Sequence, residues 1–198
     1  MPELALVGYG HESRDEVLAV AEQAGGKTTE ALSEVAARLG CWIVAGFAER
    51  DGDALFNSAL VLDRDGGLAS TYRKVLLYEA DRPWAEAGQG PYPIFDTGVG
   101  SFTVGICMDL NDDRFIEHVS RSAPRAVAFP TNWIDEGEPV WGYWAWRLQG
   151  TGAAMVAANG YGQHGALRLR GQSAILDGMT LLAGAEAEGD DVLEADLG

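Results

Sequence analysis

Phe102-Thr103-Val104-Gly105-Ile106-Cys107-Met108-Asp109-Leu110-Asn111 reads as a buried strand that runs into a turn. Residues 102–106 form a short apolar run of the kind that fills a sheet covered on both faces. Asn111, Asp112 and Asp113 can cap a helix that begins near Arg114. Cys107 therefore stands where a strand gives way to a helix. Backbone N–H groups at such a junction favour a thiolate and can bind a developing oxyanion. The competing reading makes Cys107 a small core residue, because free cysteine is often buried. The rest of the chain decides between the two.

Outward from that strand the pattern alternates helices and strands. A short helix is expected over 14–23. Gly25-Gly26 ends it, and Thr28 or Thr29 caps a second helix whose Leu32, Val35, Ala36 and Leu39 follow the spacing of one helix face. Gly40 stands where a helix end favours a left-handed residue. Strands follow at 41–47 and 57–63. A tight turn at Asp65-Gly66-Gly67 returns the chain through Leu68 to Arg73, which requires antiparallel pairing. Residues 75–98 read as one long loop, and a loop of that length inside a domain is usually functional. Beyond Cys107 come a helix near 112–122, a strand at 125–129, a helix over 139–149 and a strand at 153–158. A second hairpin turns at Asp177-Gly178. Asn159-Gly160-Tyr161-Gly162 matches neither phosphate-binding glycine fingerprint and reads as a turn. Two hairpins among alternating helices and strands do not suit a doubly wound parallel sheet. Two sheets packed together, with helices outside, suit them better.

The 198 residues suggest one domain, and 47% hydrophobic residues suffice for a sizeable core. No apolar run reaches the length of a membrane span. Residues 1–3 carry neither the basic nor the apolar region of a signal peptide. A net charge of -16 argues against nucleic acid or an anionic membrane as a partner. Cys41 and Cys107 lack CxxC spacing, and His11, His118 and His164 do not cluster. No metal site is expected, and the thiols suit a reducing cytoplasm.

Fourteen residues are Lys or Arg, and the only lysines are Lys27 and Lys74. Lys74 ends the strand Tyr72-Arg73-Lys74 and opens the long loop. Surface lysines are the common case, but a cation beside Cys107 would lower the thiol pKa and stabilise an oxyanion. Glu3 precedes the apolar run Leu4 to Val7, and Glu79 and Asp81 lie in the loop after Lys74; each reads by itself as a solvated acid. Asp109 reads as a cap for the helix that follows. A Cys–His hydrolase is the obvious competitor, but neither His118 nor His164 lies in a recognisable local pattern.

Taken in order, the blocks Pro2-Glu3-Leu4-Ala5-Leu6-Val7-Gly8-Tyr9, Asn57-Ser58-Ala59, Tyr72-Arg73-Lys74, Gly105-Ile106-Cys107-Met108-Asp109, Pro130-Thr131-Asn132-Trp133 and Gly171-Gln172-Ser173-Ala174-Ile175 resemble the nitrilase superfamily of carbon–nitrogen hydrolases. The resemblance covers nearly the whole chain. It implies an α/β fold, a nitrilase-like α-β-β-α sandwich of two mixed sheets with helices outside, in a single domain over 1–198. It also implies a Glu–Lys–Cys triad on Glu3, Lys74 and Cys107. Asp81 stands where many members carry a further acid, and the N–H of Met108 would join Lys74 in holding the oxyanion. The implied reaction is amide hydrolysis through a Cys107 thioester, releasing ammonia or an amine, with no cofactor and with a small-molecule amide as substrate. Met108-Asp109 after the cysteine favours amides over nitriles, although nitrilase and N-carbamoyl hydrolase activities belong to the same superfamily. The segment from Lys74 to Glu86 looks most like the branch that deamidates N-terminal asparagine and glutamine. Members normally carry a strand, a helix and a strand before the Pro-Glu block. Their absence here leads to the expectation of a frayed Glu3, of exposed sheet edges, and of a truncated, non-catalytic binding member as the rival reading. A homodimer is implied by the family habit alone.

Overall fold

The computed structural model describes residues 1–197. Helix α1 (Arg14–Val20) starts at Ser13, whose hydroxyl accepts from the Glu16 N–H, and it buries Val17. Helix α2 (Lys27–Leu39) ends at Gly40 with φ 63°, the left-handed terminus expected of a glycine. Its start corrects the sequence reading: Gly26 is the N-cap. Thr28 instead donates to the Glu22 carboxylate through both its N–H and its hydroxyl, and the Thr29 hydroxyl accepts from Gly25. A nearby carboxylate has captured the side chain that would have capped the helix.

Strands β1 (Ile43–Asp51), β2 (Ala54–Leu62) and β3 (Leu68–Arg73) form one sheet in that order, antiparallel throughout. The turn between β2 and β3 is closed by Asp63, whose carboxylate accepts from Asp65 and Gly67. After the long loop come β4 (Ile94–Asp96), β5 (Ser101–Val104), α3 (Asp113–Ser122), β6 (Ala126–Thr131), α4 (Trp141–Arg147) and β7 (Ala154–Asn159). Then follow β8 (Tyr161–His164), β9 (Leu167–Arg170), β10 (Ala174–Asp177) and β11 (Thr180–Gly184). The second sheet has the order β11-β10-β7-β6-β5-β4, with β5, β6 and β7 parallel and the remaining pairs antiparallel. The six-stranded sheet is thus mixed, and in the other sheet a parallel bridge from Glu22 to Glu49 adds to the outer edge of β1. The connections among β1, β2 and β3 are tight turns, which permit only antiparallel neighbours.

The two-residue period of the strands sorts the core into layers. On β6, Val127 and Phe129 face α3 and α4, packing with Phe115, Val119, Trp144 and Leu148. Ala126 and Ala128 face the other sheet, packing in the cluster of Ala59, Val61, Val104 and Ile106. Helices α1 and α2 lie against β1 and β2. The layers therefore run helix, sheet, sheet, helix. Of residues 159–162, read from sequence as a turn, Asn159 ends β7, Gly160 links the strands, and Tyr161 and Gly162 open β8 of a ribbon with β9. Gly162 has φ 90° and stays within β8, so this glycine does not end its strand. The ribbon buries Leu169 beside Leu4 and Tyr9.

The terminus is not frayed. The Met1 ammonium donates to the Val44 carbonyl, Gly46 N–H donates to Pro2 and Ala5 N–H donates to Gly46. Residues 1–5 thus run along the free edge of β1. A Cβ on Gly46 would lie 2.5 Å from the Glu3 Cα and 2.6 Å from the Leu4 nitrogen, so the approach needs a glycine. Glu3 ends up buried, with 1% of its surface exposed. No helix of the described residues is long and apolar enough to cross a membrane.

Candidate active site

Strand β5 ends at Val104, and Cys107 opens a single 3-10 turn, Cys107–Asn111. Its φ of 44° is a left-handed value that a non-glycine residue adopts only under constraint. Asp109 supplies the constraint. One carboxylate oxygen accepts from the N–H groups of Val75 (3.0 Å) and Leu76 (2.8 Å), and the other from Ile106 N–H (2.9 Å) and the Tyr72 hydroxyl (2.7 Å). Asp109 thereby pins the cysteine turn to the chain that follows β3. The cap of α3 is Asp112, whose side chain accepts from Arg114 N–H; the reading of Asp109 as that cap is corrected. One turn of 3-10 helix lies between them, so only Asp112 reaches the α3 terminus.

Lys74, at the end of β3, is wholly buried. Its ammonium lies 2.6 Å from Glu3 Oε1 and 2.6 Å from Asp81 Oδ2. Asn57, from β2, donates to the same Glu3 oxygen at 2.7 Å and to Asp81 Oδ1 at 3.1 Å. Asp81 also accepts from the Tyr9 hydroxyl (3.3 Å) and from Tyr78 N–H (3.1 Å). Asn132, after β6, donates to the Glu3 carbonyl at 2.7 Å. The long loop thus contributes a buried Asp81, while Glu79 is exposed. Burial opposes the Lys74 charge, but Glu3 and Asp81 together outweigh it and hold the ammonium ionised, its pKa raised. Burial also raises the Glu3 pKa, against the opposing pull of Lys74. Its second oxygen, Oε2, is buried without a hydrogen-bond partner.

Cys107 is 6% exposed and feels both Glu3 and Lys74. Burial, reinforced by Glu3, pushes its thiol up to about 12, while Lys74 and the neighbouring Thr131 and Asn132 pull the other way. Lys74 lowers the thiol pKa, the direction expected of it from sequence, but desolvation outweighs it. The sulfur faces a cavity of about 180 Å³ lined by Tyr9, Tyr78, Met108, Asn111, Asn132, Trp133, Ile134 and Glu136. Glu3 and Lys74 lie behind it. Neither His118 nor His164 lines this cavity, and the described residues contain no group of three His, Cys, Asp or Glu side chains able to hold a metal ion. Sequence reasoning assigned no role to Asn57 or Tyr9. An asparagine inside the apolar run Leu55 to Leu62 is a legible signal; Tyr9 offered none.

The family model described as carbon-nitrogen hydrolase matches residues 1–198, and the chain belongs to that family. It is 36% identical over 135 residues to a nitrilase of Pyrococcus abyssi, covering 68% of this chain and 51% of the relative. It is 37% identical over 123 residues to the chloroplastic omega-amidase of Arabidopsis thaliana, covering 56% and 33%. The chain spans about half the length of the Pyrococcus relative. Among solved structures, a nitrilase-superfamily amidase from Nesterenkonia AN1 superposes with a TM-score of 0.79 at 21% identity, covering 95% of this chain and 72% of that one. In a mutant of that amidase, the acetamide moiety of fluoroacetamide is bound covalently to the active-site cysteine.

Proposed function

We propose that the protein hydrolyses the C–N bond of a small carboxamide, with Cys107 as nucleophile, Glu3 as general base and acid, and Lys74 as the oxyanion cation. The observation that carries this reading is the buried Glu3–Lys74–Asp81 cluster behind a cavity whose floor is Cys107. Glu3 spends one oxygen on Lys74 and Asn57, which leaves Oε2 to take a proton. Because the thiol is neutral at rest, attack and proton transfer go together: the S–C bond forms, Glu3 receives the thiol proton, and the carbonyl electrons move to oxygen. The Lys74 ammonium and the Met108 N–H receive that charge. Collapse breaks the C–N bond as Glu3 protonates the departing nitrogen, leaving a Cys107 thioester and free ammonia or amine. Glu3 then deprotonates a water whose oxygen bonds to the acyl carbon. The C–S bond breaks, the thiol regains its proton and the acid departs. Asp81 anchors Lys74 against rotation.

Ammonia release across carboxamides, N-carbamoyl compounds and nitriles tests the reading, with Cys107→Ala as control. We expect release from at least one carboxamide and none from the variant; equal rates from both would overturn the mechanism. The Pyrococcus relative, named a nitrilase, is the reason for the nitrile arm. A homodimer, the assembly that the family resemblance suggests, is open to sedimentation velocity.

A further inference from the structure

The cavity over Cys107 has an uneven distribution of charge. Its lining contains no lysine, arginine or histidine. Lys74, which acts on the Cys107 thiol, is outside the lining with no exposed surface and is already held by two carboxylates, and Arg168 and Arg170 are paired with Asp135. The walls are the aromatic rings of Tyr9, Tyr78 and Trp133, and Glu136 stands exposed at the rim. Glu136 is the only charged side chain of the lining, and the Tyr78 hydroxyl is raised by burial first and then by acids that include Glu79, Glu136 and Asp81. About 180 Å³ admits a short acyl chain, and Glu136 is the charged side chain of the lining that its far end can meet.

Resting on the amidase reading, we propose that this cavity selects acyl groups by charge: it favours an amide whose far end carries an ammonium, accepts a neutral one and rejects a carboxylate, with Glu136 as the residue that sets the order. A carboxylate entering here would lose water and find no cation to replace it. An ammonium would meet Glu136 and the faces of Tyr78 and Trp133. Relatives named nitrilase, omega-amidase and N-terminal amidase leave this choice open.

Three amides of similar length separate the alternatives: β-alaninamide (cation), butanamide (neutral) and succinamate (anion). At low ionic strength kcat/KM should fall in that order, with about tenfold or more between cation and anion, and the spread should shrink as salt is added. Glu136→Gln should narrow the ratio of β-alaninamide to butanamide severalfold, and Glu136→Lys should raise succinamate relative to β-alaninamide. Succinamate hydrolysed as well as or better than β-alaninamide would overturn the proposal; ratios unmoved by both Glu136 variants would overturn the role of Glu136. Modification of Cys107 by aminoethyl and sulfonatoethyl methanethiosulfonate supplies a readout that needs no turnover. It is followed by mass spectrometry with Cys107→Ala to subtract Cys41. The cationic reagent should react faster, and a faster anionic reagent would overturn the charge selection even if no amide were hydrolysed. Absence of turnover with all three amides, beside the expected reagent order, would instead count against the amidase reading.

Discussion

Asp109 is not among the residues that line the cavity, yet its two oxygens gather four donors from three segments. Asp109→Ala would leave those buried donors unsatisfied, and each unsatisfied group costs about 1–3 kcal/mol. Urea denaturation should therefore show a loss of about 3 kcal/mol or more; a loss below about 1 kcal/mol would contradict the pinning role. The proton chemistry is testable at the same scale. In the proposed mechanism turnover needs ionised Glu3, and burial raises its pKa above the ordinary 4.5, so the acid limb of kcat/KM should lie at higher pH than that value. Raising the pKa moves the limb up, since the protonated, inactive form persists to higher pH. A limb at or below 4.5 would contradict the assignment of Glu3. At this scale the sequence announces types more readily than states. Cys107, Lys74 and Glu3 stand out through their blocks. The net pKa direction of Cys107 depends on how completely the neighbours remove water, and no local pattern records that.

At the scale of elements, two glycines govern how closely parts approach. Gly46 lets residues 1–5 lie against β1. Gly46→Ala would displace the backbone that carries Glu3 while leaving the β1–β2 register intact. We expect turnover to fall by about a hundredfold with little change in far-ultraviolet circular dichroism; unchanged turnover would count against this packing. A Cβ on Gly105 would lie 2.5 Å from the Phe115 ring, in a core that cannot yield. Gly105→Ala should cost about 1–3 kcal/mol by thermal or urea denaturation. Strands β1 to β3 and the β10–β11 hairpin were legible because alternation and turn residues are local signals. The β8–β9 ribbon was hidden among glycines, and β4 inside the long loop was too short to stand out. The cap of α2 was misread because Glu22, outside the helix, bonds to Thr28.

For the whole molecule, a net charge of -16 on 198 residues means self-repulsion in the compact state. Raising salt from about 0.01 M to about 0.15 M shortens the Debye length from about 30 Å to about 8 Å, so the thermal midpoint should rise, as scanning fluorimetry would show. A fall would mean that the surface ion pairs, such as Arg168–Glu188, outweigh the repulsion. The sequence by itself determined the layered α/β plan, the turn that carries Cys107 and the family blocks, because these rest on periodicity, turn chemistry and residue order along a few neighbours. Only the tertiary structure decided that Glu3 is buried, that Asn57 and Tyr9 join the cluster, and that burial raises the thiol pKa. Those outcomes follow from groups 54 and 71 residues apart sharing a volume without water. There desolvation and the neighbouring charges together set each charge, and separation along the chain carries no trace of them.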